Sequence, residues 1–322
     1  MSQLRLNPLT GRWVTVSTDR AARPDDFALD QEPVETGPVR PCPFCPGNEE
    51  ATPPALESYR SGDTWSVRVV PNRFPAFEGT EPMQVENLGP LFTQAPASGI
   101  HEVLVFSPDH GSSYADLDDL QAGLVVSAVR DRMEAHAASS GVRYTQAIVN
   151  HGREAGASLS HPHGQLLGMP FVPGELVEEM AGFRRFSGHC LLCATIEAER
   201  DAVHRMVFDR DEVVIIAPFW GGAPFELLVM PTVHEGHLAN TPQADLEAVS
   251  RALRDALGLL RKTLGEVSYN LVVHTLPHRA SDPFHWHIHV LPRVRSVGAF
   301  EQGTGVPINI VAPERATDLL LG

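Results

Sequence analysis

Apolar and polar positions along the chain fall into two similar series. The first begins with an apolar run, Ser98 to His110, that stops at a turn and a histidine. From Leu117 to Ala138 apolar residues then recur at three- and four-residue intervals, which predicts an amphipathic helix. A short β-rich run at Tyr144–Asn150 follows, and a histidine-bearing segment closes at Pro170. The second series repeats this order through Ala223–His234, Pro242–Leu264, Tyr269–His274 and a segment closing at Pro292. Asp116 and Thr241 stand where the caps of the two helices belong. Matches at each stage in one order point to a duplicated unit. The expected fold is α+β, two tandem repeats, each an antiparallel sheet with a packed helix. The repeats are expected to divide near Pro173-Gly174, as residues 1–174 and 175–322.

Length and composition narrow the class. The 322 residues bury a substantial core. The net charge of −15 argues against broad nucleic-acid binding. No run of 18 apolar residues occurs, and the first residues lack a basic-then-apolar pattern. The expectation is therefore a cytoplasmic protein with no membrane partner. The Pro/Gly-rich stretch 33–54 reads as a metal-held loop, and 77–98 as a second surface loop.

The four cysteines change the picture most. Cys42-Pro-Phe-Cys45 is followed by His110 and His161, and Cys190-Leu-Leu-Cys193 by His234 and His285. The two histidines of each set lie 51 positions apart. A Cys-x-x-Cys pair with two distant histidines has the ligand chemistry of tetrahedral zinc, and close cysteine pairs in a cytosolic chain read as metal ligands. About two zinc ions per chain are expected, both stabilising the fold, because four protein ligands leave no open position for water.

Ser160-His-Pro-His-Gly-Gln165 carries the chemistry. Two histidines one residue apart on a strand share a face but can do different work. His161 is assigned to zinc and His163 to catalysis. A neutral imidazole can attack phosphorus to form a phosphoramidate, provided its other nitrogen holds the proton against an acceptor. Gln165, again on that face, can donate its amide to a non-bridging phosphate oxygen but cannot act as a general acid.

These residues resemble the galactose-1-phosphate uridylyltransferases of the histidine-triad superfamily. The matching segments are 7–14, 20–24, Cys42–Cys45, 72–74, 107–110, Asn150 with Gly152, and Gly156–Gln165. The resemblance implies histidine-triad-like repeats and a homodimer that acts on a nucleotide sugar and a sugar 1-phosphate. It implies that His163 becomes nucleotidylated and Gln165 steadies the phosphoryl group. Arg20, Arg23, Asn72, Asn150 and Ser158 match positions that contact nucleotide or phosphates. Some members of the family hold a different metal, iron among the choices, on a glutamate and three histidines, matched here by Glu179, His274, His287 and His289. Soft thiolates and the repeat favour zinc on Cys190, Cys193, His234 and His285 instead. That leaves His287 and His289 for packing, hydrogen bonding or a neighbouring subunit's site. The favoured reaction is exchange of uridylyl between glucose 1-phosphate and galactose 1-phosphate. Ala299, Thr304 and Gly305 stand where the family's hexose contacts would be, so nucleotide-sugar phosphorolysis, as in ADP-glucose phosphorylase, is the alternative. A non-enzymatic nucleotide sensor and a nucleotide hydrolase fit the histidine motif less well.

Overall fold

The computed structural model describes residues 2–18, 41–61, 64–79 and 81–322. Arg20 and Arg23 lie outside these residues, as does the start of the 33–54 stretch.

Strands β1 (Gln3–Leu6) and β2 (Trp13–Val16) open the chain. Next come β3 (Glu57–Ser61), β4 (Thr64–Pro71), the small hairpin β5 (Glu86–Asn87) and β6 (Thr93–Gln94), and β7 (Ile100–Val105). Helix α1 (Asp119–Ala138) leads to β8 (Tyr144–His151) and β9 (His163–Met169). The chain then passes through α2 (Gly174–Arg185) and α3 (Leu191–Ala202) to β10 (Met206–Asp209), β11 (Val213–Ile216) and β12 (Leu227–Pro231). Helix α4 (Gln243–Leu264), β13 (Tyr269–His274) and β14 (His287–Pro292) complete the second series. The end of the chain holds α5 (Ala299–Thr304), β15 (Ile308–Asn309) and α6 (Pro313–Leu321).

The mixed, antiparallel architecture is as expected, and the two sheets are fused. Ten strands pair in the order β10-β11-β12-β14-β13-β8-β9-β7-β4-β3. Every ladder among them is antiparallel. The seam between halves is β13 on β8, with Asn270 opposite Asn150. Alternation along the strands gives the sheet two characters. One face carries Leu104, Ala147, Leu166, Leu271, Ile288 and Val290, packed with buried residues of α1 and α4. On the other face α2 and α3 cover the second half with Leu176, Met180, Leu192 and Ile196. Over the first half that face has a much smaller cluster, Cys42, Phe44, Val70, Val103 and Val105. It is here that the histidine motif lies.

Both helices run close to the expected bounds, but other residues cap them. Asp118, not Asp116, caps α1, its carboxylate accepting from the backbone N–H of Gln121. Asp116 ends a short helical turn, where it accepts from the N–H and hydroxyl of Ser113. Pro242 precedes α4, while the Thr241 hydroxyl accepts from the indole N–H of Trp286 at 2.8 Å. A local partner took Asp116 and a distant one, Trp286, took Thr241, an effect that spacing alone does not reveal. The described residues of the 77–98 stretch are mostly exposed, as expected of a surface segment, and include the β5–β6 hairpin. Among the described residues no helix is long and apolar enough to cross a membrane.

Candidate active site and metal centres

The first cysteine pair sits on a turn beside the small apolar cluster. Its Cys45 Sγ lies 3.3 Å from His110 Nδ1 and 3.7 Å from His161 Nδ1, which is also 3.7 Å from Cys42 Sγ. The two Nδ1 atoms are 3.3 Å apart. Zinc–nitrogen bonds of about 2.0–2.1 Å and zinc–sulfur bonds of about 2.3 Å imply tetrahedron edges of roughly 3.3–3.8 Å. The donor set therefore fits a zinc ion. The outer ring nitrogens are engaged: His161 Nε2 donates to the Ser107 carbonyl at 2.8 Å, and His110 Nε2 pairs with Ser160 Oγ at 3.0 Å. Such outer bonds orient a ligating imidazole. Burial pushes the pKa of His161 down to about 4, so its ring is neutral, the form that ligates.

The second set repeats this geometry. Cys193 Sγ is 3.7 Å from His234 Nδ1 and 3.6 Å from His285 Nδ1, and Cys190 Sγ is 3.7 Å from the latter. His285 Nε2 donates to the Pro231 carbonyl at 3.0 Å, the counterpart of the His161–Ser107 bond. Burial and the neighbouring Cys190 push the Cys193 thiol up to about 12. Ligation by the Cys193 sulfur thus needs a cation to draw off the proton.

Glu179, His274, His287 and His289 require a correction to the sequence reading. They are not rivals of the cysteines for one ion, because the two sets lie apart. They form a third set, whose ligand atoms all lie within 4.8 Å of one another, as do those of each cysteine set. Glu179 comes from α2, and the histidines from β13 and β14. The carboxylate lies 2.8 Å from His274, 3.4 Å from His287 and 3.6 Å from His289. The Nε2 atoms of His287 and His289 are buried without a hydrogen-bond partner, which suits a cation at the centre. Burial disfavours charge on His289, but Glu179 and Glu226 outweigh it and raise its pKa to about 9. The set borders a cleft that also includes Arg12, Glu175, Glu226 and Gly305.

His163 opens β9, with its ring against Phe44, centroids 5.4 Å apart. Its Nδ1–H donates to the His161 carbonyl at 2.7 Å, which fixes the tautomer and leaves Nε2 with a free lone pair. Burial holds its pKa below the usual histidine value, partly offset by that bond. The ring is therefore neutral at physiological pH, as nucleophilic attack demands. Between His163 and Gln165 only glycine fits. A Cβ at Gly164 would come within 2.8 Å of Phe106 Cζ and 2.9 Å of the Ile148 carbonyl.

The expected substrate contacts are only partly gathered. Asn150 lines the same pocket as His163, Gly152 and Ser160. Its Oδ1 accepts from Asn270 Nδ2 at 2.7 Å, and Asn270 in turn accepts from Arg293. Asn270 was missed in the sequence: it meets Asn150 only across the β13–β8 ladder, and no motif announces it. Ser158 is exposed on the loop before the motif. Asn72 and Gln165 both touch His101, a residue without any motif to announce it. Ala299, Thr304 and Gly305 are exposed. The Thr304 hydroxyl is spent on the Phe300 carbonyl at 2.7 Å.

Comparison with known proteins places the chain in a family. The family profile for the N-terminal domain of galactose-1-phosphate uridyl transferase matches residues 1–173, and that for the HIT domain matches 199–296. ADP-glucose phosphorylase of Arabidopsis thaliana is 32% identical over 97% of this chain and 90% of its own length. Galactose-1-phosphate uridylyltransferase of Thermotoga maritima is 26% identical over 98% of this chain and 96% of its own. A crystal structure of the Arabidopsis thaliana phosphorylase with bound ADP-glucose superposes with a TM-score of 0.85 at 29% identity, covering 99% of this chain and 98% of that one. More than half of the sequence fits one profile and nearly all of it aligns with these relatives, so the chain belongs to the galactose-1-phosphate uridyl transferase family.

Proposed function

We propose that the protein is a nucleotidyltransferase that cleaves a nucleoside diphosphate sugar through a nucleotidyl-His163 intermediate. The observation that carries this is the His163 ring: buried, neutral, and locked by its Nδ1 bond so that Nε2 is the nucleophile. In the first step the Nε2 lone pair attacks the α-phosphorus in line. An Nε2–P bond forms, the anhydride P–O bond breaks, and a sugar 1-phosphate leaves as an anion that needs no proton. In the second step an acceptor phosphate oxygen attacks the same phosphorus and the Nε2–P bond breaks, returning the electron pair to the ring. Both steps exchange bonds of similar energy, and two inversions retain configuration at phosphorus. The Gln165 amide steadies the developing charge. Zinc on the first cysteine set would lock the loops around the motif, zinc on the second would do the same for the equivalent loops of the other half, and neither would take part in the transfer.

The acceptor we favour is inorganic phosphate, with ADP-glucose as donor. Support comes from the similarity to ADP-glucose phosphorylase and from the exposed Ala299, Thr304 and Gly305, which leave a hexose without its expected partners. A missing polar partner costs about 1–3 kcal/mol of transition-state binding. Uridylyl exchange with galactose 1-phosphate is the second reading, supported by the N-terminal family profile and the Thermotoga maritima relative. Assays crossing ADP-glucose and UDP-glucose with phosphate and galactose 1-phosphate decide between them. The favoured reading expects the highest kcat/KM with ADP-glucose and phosphate; a hexose 1-phosphate that outperforms phosphate reverses the order. The homodimer implied by the family belongs to the same proposal and is tested by light scattering.

A further inference from the structure

A glutamine amide is useful to a phosphoryl group only if it presents its NH₂ and not its oxygen. On β7, next to β9, His101 lies diagonally across from Gln165 on the same face. The backbone N–H of Ala76 donates to His101 Nδ1 at 3.0 Å. A backbone amide can only donate, so this nitrogen carries no proton, and in a neutral ring the proton is on Nε2. His101 Nε2 lies 2.8 Å from Gln165 Oε1, and its N–H donates there. The Gln165 carbonyl is thereby occupied, and the NH₂ is the end left to face the phosphoryl group. Asn72 packs its Nδ2 3.1 Å from the same ring nitrogen, while its Oδ1 accepts from the Phe74 N–H at 2.9 Å. With the proton on Nε2 the Asn72 Nδ2 contact sets donor against donor and makes no hydrogen bond, so Gln165 is the acceptor of that N–H. The ring is buried, with 9% of its surface exposed, which limits competition from water.

We infer that His101 is a positioning residue: a relay of fixed polarity, from the Ala76 amide through His101, sets the amide of Gln165 with its donor toward the transferring phosphoryl group. The inference rests on the nucleotidyl-transfer reading above. It places no demand on substrate identity.

The test is a double-mutant cycle on the first half-reaction, followed as transfer of α-phosphorus label from ADP-glucose or UDP-glucose to the zinc-loaded protein. His101→Ala is expected to slow labelling about 10- to 100-fold, less than the roughly 100- to 1,000-fold for removing such a donor outright, with little change in the half-saturating donor concentration. In a Gln165→Ala background the same change is expected to alter the rate by less than about twofold, since a residue acting through Gln165 has nothing left to act on. Equal losses in both backgrounds, or no loss in either, overturn the inference. Should His101→Ala unfold, His101→Gln and His101→Glu replace it. The first keeps a distal N–H donor and the second, when ionised, only accepts. His101→Gln is expected to label at least about tenfold faster, and equal rates overturn the inference. A wild-type protein that never takes up label counts against the functional reading itself. A labelled wild type with an additive cycle counts against His101 alone.

Discussion

His163 and His287 occupy equivalent places in the two halves, and their neighbours give them different work. Each donates Nδ1–H to the carbonyl two residues before it, at 2.7 and 2.8 Å. Among the described residues no carboxylate acts on His163, whose Nε2 would meet an anionic phosphoryl group. Opposite His287 Nε2 sits the Glu179 carboxylate at 3.4 Å, which repels one. Glycine at 163 removes the nucleophile and leaves a space of imidazole size. His163→Gly is therefore expected to lose turnover by more than about a thousandfold and to regain part of it with added imidazole, read from initial rates with and without the base. The motif residues were legible because their spacing recurs: a repeat makes each histidine vouch for its twin. His101 was not, since a lone histidine in an apolar strand has no signature until a folded neighbour, here Gln165, comes within 2.8 Å. The third metal set was visible only through family likeness, and its independence from the cysteines depends on α2 crossing the sheet.

At the scale of elements, α1 is tied to the sheet by an ionic network as well as by apolar packing. Arg132 on α1 donates to Glu102 on β7 and to Glu57 on β3. His136 Nε2 lies 3.2 Å from Glu102. Burial would raise the Glu102 pKa, but His136 and Arg132 outweigh it and hold it below the usual carboxylate value. A depressed carboxylate stabilises the fold fully above its unfolded pKa of about 4.3 and loses that contribution as pH falls through the lower folded value. Glu102→Gln should therefore cost about 1–3 kcal/mol at neutral pH and flatten the fall in stability below about pH 4, measured by urea unfolding across pH. A variant with an unchanged acid limb would remove Glu102 from this role. Apolar packing on the same side is dominated by α4, and Leu253, 3% exposed, is central to it. Leu253→Ala should cost about 2–5 kcal/mol in the same assay. Both helices were readable from their three- and four-residue periodicity. Their caps were not, because Asp116 and Thr241 find other partners in Ser113 and Trp286.

Over the whole molecule, the two repeats share one sheet across the β13–β8 seam. The sequence marks each strand but does not say which edges meet, and nothing in the residues of β8 or β13 singles them out as the seam. The cysteine sets clip long connections to this sheet. The first ties the turn at Cys42 and Cys45 to His110 and His161, and the second ties the start of α3 to His234 and His285. Elemental analysis is expected to find at least two zinc ions per chain. Cys42→Ser, or a strong chelator, should lower the melting temperature by several degrees, because metal binding and folding are coupled. An unchanged melting temperature after complete metal removal would deny the ions a structural role. The central claim, that chemistry passes through His163, is most directly tested by mixing wild-type protein with nucleotide sugar labelled at the α-phosphorus, without acceptor, and mapping the modified peptide. The account predicts close to one acid-labile nucleotidyl group per active site, on His163, discharged on adding the acceptor. Label that never appears on the protein while steady-state rates require both substrates bound together would contradict it.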